Sequence, residues 1–87
     1  MDYFVTAKEE VLRETAASVK AKIINYMRVK NMAEDPSAPL DILLKKVGSL
    51  SRNLIQNPNN TLEDLEKISA ELKFAREYID EVVAVNS

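Results

Sequence analysis

Three stretches of the chain repeat apolar residues at alternating steps of three and four, the spacing that lines one face of an α-helix. The first runs through Leu12, Ala16, Val19 and Ile23 to Tyr26 or Met27. The second carries Leu40, Leu43, Leu44, Val47, Leu50, Leu54 and Ile55, and the third Leu65, Ile68, Leu72, Ala75, Ile79 and Val82. Asp35-Pro36 and Asn57-Pro58-Asn59-Asn60-Thr61 separate them, because a residue before proline is pushed away from helical angles. Thr6 with Glu9 has the form of a capping box, Ser37 is placed to cap a helix with Pro39 in its first turn, and Thr61 with Asp64 provides a cap for the last helix. The pattern predicts an all-α protein, a single domain over residues 1–87, with helices over 7–32, 38–56 and 62–85. The short turn between the last two forces them antiparallel, so this hairpin, its two apolar seams facing one another, is the expected centre of the fold.

Apolar residues remain after these seams are filled. Phe74 and Tyr78 lie on a strip beside the third seam, Ile24 stands next to Ile23, and Tyr3, Phe4 and Val5 crowd the N-terminus. In a domain this small a second apolar strip points to a partner surface, and a homo-oligomer is expected.

Composition narrows the chemistry. With no cysteine and no histidine among 87 residues, the chain has no thiolate, no imidazole ligand and no general base of the usual kind. A non-enzyme without metal or cofactor is the expectation. No apolar run approaches the roughly 18 residues that span a bilayer, and Met1-Asp2-Tyr3-Phe4-Val5 is too short and acidic for a secretory signal; a cytoplasmic setting without a membrane partner follows. The net charge of −2 argues against duplex DNA, which selects strongly basic proteins. Its distribution is uneven: residues 15–33 hold Lys20, Lys22, Arg28 and Lys30 and no acid, while residues 62–87 hold seven acids against Lys67, Lys73 and Arg76. The basic stretch offers a weak single-strand nucleic-acid reading; more simply, Arg28 and Lys30 offset the negative end of the helix dipole.

Two groups are candidate ligand contacts. Lys45-Lys46 precedes Gly48, the only glycine, within one turn, so an ammonium can approach an anion near the gap; equally, both lysines are solvated and Gly48 lets a neighbour pack closely. Tyr26 and Arg28 offer a ring and a planar guanidinium, which together hold a base and a phosphate, although Tyr26 also fits the edge of a core. The acids of the third helix read as its solvated face.

The run Ile42-Leu43-Leu44-Lys45-Lys46-Val47-Gly48, with Leu72, Ala75, Ile79 and Val83 at helical spacing, resembles the phage anti-CBASS sponge family, which shares a helical hairpin with the anti-Thoeris sponges. It covers about half the chain, leaves the first helix unmatched and lacks the family's tryptophan. The resemblance implies Lys45 on a ligand phosphate, Gly48 and Ala75 as close-packing positions, and Tyr26 as the nearest counterpart of a stacking tyrosine. The implied function is non-catalytic sequestration of cyclic di- or trinucleotide signals by a symmetric oligomer, countering host antiviral immunity from within the host cytoplasm. The residues alone support a different reading: a small phage or bacterial helical module that docks on another protein through Phe74 with Tyr78 or Tyr3 with Phe4.

Overall fold

The computed structural model describes residues 3–33, 35–57 and 59–86. They form three helices, α1 (Tyr3–Val29), α2 (Pro39–Gln56) and α3 (Leu62–Val85), with no strand among the described residues. The all-α, three-helix architecture is as predicted.

The centre of the fold differs from the expected one. α1 packs along both α2 and α3, whereas α2 and α3 meet over a much smaller contact. The stripe Leu12, Ala16, Val19 and Ile23 is therefore shared between two neighbours, and it joins Leu40, Leu43, Val47 and Leu54 of α2 and Leu65, Ile68, Leu72, Ala75 and Ile79 of α3 in one core. The hairpin is present, closed by a Lys46–Glu71 pair at 3.8 Å, but its seams turn mainly toward α1. Ile55, expected in the α2 seam, is 65% exposed. Adjacent helical residues point about 100° apart, so with Leu54 fully buried its neighbour must turn away.

Helix ends depart from expectation for local reasons. α1 begins at Tyr3, so Thr6 lies inside the helix and does not cap it; Val5, seven residues before Leu12, packs against the core and extends the buried stripe backward. At the other end Asn31 takes a left-handed φ of 52°. The Asn31 amide donates to the Arg28 carbonyl and the Met32 amide to the Met27 carbonyl, each at 3.0 Å, the paired bonds of a Schellman motif. Asn31 thus ends the helix before Asp35-Pro36 is reached. The N-cap of α2 is Ala38, which makes no side-chain bond to the helix. Ser37 is engaged elsewhere: its amide and hydroxyl both donate to Asp35 Oδ1, at 3.0 and 2.7 Å, and hold the Asp35 carboxyl below its ordinary range. At α3 the cap is reciprocal, Asp64 N donating to Thr61 Oγ1 at 3.1 Å and Thr61 N to Asp64 Oδ2 at 3.0 Å. α2 stops at Asn57, whose extended φ of −93° and ψ of 110° suit a residue before proline; Pro58 itself lies outside the described residues. Asn60, buried at 7% exposure, donates to the Asn57 carbonyl and orders this turn.

Neither α2 nor α3 has a basic residue in its own last turn. α1 supplies both. Arg13 donates from Nε and Nη2 to the Leu54 carbonyl at 3.1 and 2.8 Å, and Lys30 Nζ to the Asn86 carbonyl at 3.1 Å. Carbonyls at a helix C-terminus lack partners within the helix and carry its negative pole, so a cation there satisfies both needs. An ion pair between Lys22 and Asp80 joins α1 to α3 midway, with Arg76 3.9 Å from the same carboxylate. These contacts fix the directions: α1 antiparallel to α2 and parallel to α3.

Gly48 neither packs against a neighbour nor needs special backbone angles. A Cβ added there meets nothing within 4 Å, and its φ is not positive. Gly48→Ala is expected to stabilise the fold by about 0.5–1 kcal/mol, a rise of roughly 2–8 °C in Tm for a domain of this size; a fall would show that the site is occupied in solution. Arg13→Met should cost about 1 kcal/mol in denaturant unfolding, and no loss would show the link from α1 to α2 to be idle. Thr61's amide and hydroxyl hold the Asp64 carboxyl below its ordinary 3.8, so its contribution is present above that value and lost as pH falls through the lower folded one. The Tm gap between the native chain and Asp64→Ala should therefore stay constant from neutral pH down to about 5 and close below about pH 4; a gap unchanged in acid would exclude the carboxylate as the source of the cap's strength.

Candidate protein-binding surface

The sequence-predicted ligand contacts do not converge within one chain. Tyr26, half-buried at the edge of the core, lines a groove of 300 Å³ between the C-terminal halves of α1 and α3, together with Lys22, Asn25, Val29, Lys30, Val83 and Asn86. Lys30 Nζ lies 5.9 Å from the centre of its ring while bonded to the Asn86 carbonyl. Packing and helix capping therefore already engage this ring and this cation. Arg28, two positions on from Tyr26, is exposed and lines neither this groove nor the next. Lys45 is exposed on α2 in a separate depression of 610 Å³ with Pro36, Asp41, Ile42, Lys46, Ser49, Leu50 and Glu71. Gly48 is half-buried one turn away and does not line it.

Reactive chemistry is sparse. Among the described residues no group of three or more aspartates and glutamates is placed to hold a metal ion. The two carboxyls held below their ordinary range, Asp35 and Asp64, owe it to the turn and the cap described above. Among the described residues no helix is long and apolar enough to cross a membrane.

Exposed apolar surface is plentiful by contrast, and it has a distribution. Tyr3 and Phe4 are 81% and 76% exposed, their rings edge to face with centroids 6.4 Å apart. Val11 stands two turns after Phe4 on the same side of α1, also exposed. The Arg13 contact brings this part of α1 to the end of α2, where Ile55 is exposed, and the short turn returns the chain to exposed Leu62. One end of the bundle thus gathers five of the ten large apolar residues exposed among the described residues. Val11, Ile55 and Leu62 were not singled out by sequence as a partner surface. Periodicity marks what faces the core, and only the packing of α1 shows which leftover residues share an end. A second aromatic pair, Phe74 and Tyr78, lies on α3 with ring centroids 6.4 Å apart and planes inclined at 35°.

Compared with protein families, the chain matches the bacterial epsilon antitoxins over residues 1–82. Neither a curated protein nor a solved structure matches it. The family match takes in α1, which the sponge resemblance left out, and it overturns that resemblance. The anti-CBASS assignment, the cyclic di- or trinucleotide partner and the sequestration reading are all withdrawn with it. The short run Lys45-Lys46-Val47-Gly48 followed by apolar residues at helical spacing is a pattern any helical bundle can carry. An antitoxin points instead to a protein partner, in line with the docking module read from the exposed strips. The chain belongs to the bacterial epsilon antitoxin family.

Proposed function

We propose that this chain neutralises a protein toxin by binding it directly, with no chemistry of its own, in the cytoplasm where the two meet. The observation that carries the reading is the family match, which spans all three helices except the last three residues of α3. The surface proposed to meet the toxin is the end built by Tyr3, Phe4, Val11, Ile55 and Leu62. Aromatic side chains dominate the energetics of protein interfaces because each buries a large area at the cost of few rotatable bonds. A ring pair near the start of the longest helix can enter a pocket while the surrounding apolar residues exclude water. In this reading Tyr26, Arg28, Lys45 and Gly48 lie away from the contact, and Tyr26 serves the packing of α1 on α3.

Co-expression with the cognate toxin is expected to restore growth, and the tagged chain to retain the toxin on a column. A toxin that remains lethal and is not captured would sink the reading. Replacing Tyr3 and Phe4 together by serine should weaken capture by about 10- to 100-fold and leave Tm nearly unchanged, because both rings stand mostly in solvent. Undiminished capture would move the contact to another surface and leave the toxin-binding reading intact.

A further inference from the structure

α3 carries a second apolar strip that its own bundle does not cover. Phe74, Tyr78, Val82 and Val85 follow one another at steps of four, four and three, so they run along one side of the helix for about 16 Å. Tyr78 and Val82 rest against the core, while Phe74 and Val85 are 63% and 75% exposed. The lower part of the strip opens into a groove of 330 Å³ lined by Tyr78, Glu81, Val82, Val85 and Asn86.

Glu77 and Glu81 stand four residues apart beside it, a like-charge spacing that destabilises a helix; Lys73, four residues before Glu77, begins the same row but makes no ion pair with it. Among the described residues neither has a lysine or arginine within ion-pair distance, whereas Arg76 is turned to Asp80, Lys67 to Glu63 and Lys46 to Glu71. The fold leaves this pair of carboxylates unmatched next to unburied aromatic surface.

We propose that the strip is a second docking site, distinct from the toxin-binding end, and that it takes an amphipathic helix of a partner protein with lysine or arginine flanking its apolar seam. An apolar strip three turns long matches the anchors that a docked helix presents at i, i+4 and i+7. Basic flanks would pair with Glu77 and Glu81 and relieve their repulsion, setting register and favouring this partner over an acid-flanked one. Since Phe74 and Val85 lie outside the end proposed for the toxin, both partners can be held at once.

Two synthetic amphipathic helical peptides with the same leucine seam, one flanked by lysine and one by glutamate, test this by fluorescence anisotropy and by amide shifts of the full chain. The lysine-flanked peptide is expected to bind about tenfold more tightly, to shift amides over residues 74–85, and to lose its advantage when Glu77→Lys and Glu81→Lys are combined. Phe74→Ser should abolish peptide binding while capture of the toxin persists. Equal affinity for the two peptides, shifts confined to the first turns of α1, or loss of toxin capture in Phe74→Ser would each overturn the proposal. A native chain that sediments as a dimer, and as a monomer once Phe74 is serine, would also overturn it by showing the strip closed by a second copy. None of these outcomes alters the test of the toxin-binding end.

Discussion

The structure depends on one apolar stripe serving two neighbours. Leu12, Ala16, Val19 and Ile23 sit between α2 and α3, and the hairpin formed by those helices has little mutual contact to fall back on. A chain of this length buries only about 60% of the surface that its unfolded form exposes, so it cannot spare a shared face. Alanine at position 16 of this stripe and at position 75 of α3, both almost fully buried, keeps side-chain bulk low in the core. Larger residues there would force the shared helix away from its neighbours, because a close-packed core has no room for added methylenes.

The same helix also completes its partners electrically. α2 and α3 both end without a basic residue of their own, and Arg13 and Lys30 reach across from α1 to the carbonyls at those two ends. Packing thus holds α1 sideways and the two cations hold it lengthwise. The basic bias of residues 15–33 is partly explained by this arrangement. Lys22 and Lys30 are directed at α3, an acidic helix.

Much of the architecture was legible in the sequence, since the three stripes are strongly periodic and the reciprocal cap at Thr61 and Asp64 is local chemistry. What periodicity does not encode is which stripe faces which. Each helix shows one apolar face, and a connector of a few residues constrains direction without assigning the partner across the core. That is why the hairpin was expected to close on itself. Helix ends were misread where a tertiary contact outweighed a local signal, as with Val5 extending α1 past Thr6, or where one residue's backbone decided the outcome, as with Asn31. The functional surface was the least legible part. A catalytic site needs particular residue types at particular spacings, but a docking surface needs only apolar area left uncovered, and that Tyr3, Phe4, Ile55 and Leu62, all exposed, lie toward one end of the bundle follows only once α1 has been placed. A lysine followed by a glycine in an apolar helix therefore carried less information than its resemblance to a nucleotide site implied.

A further consequence follows from coupling so much stability to α1. The proposed toxin-binding end begins at the first turn of the same helix that supplies the shared stripe and both cross-helix caps. Any partner that holds α1 folded there stabilises the whole bundle, by about 2.7 kcal/mol when it is present at one hundred times its dissociation constant, a large fraction of what a small domain possesses. Free and toxin-bound chain would then differ in persistence as well as in occupancy. In such a protein the binding surface and the stability of the fold are set by the same helix, so substitutions that loosen α1 should weaken neutralisation even where they touch no partner.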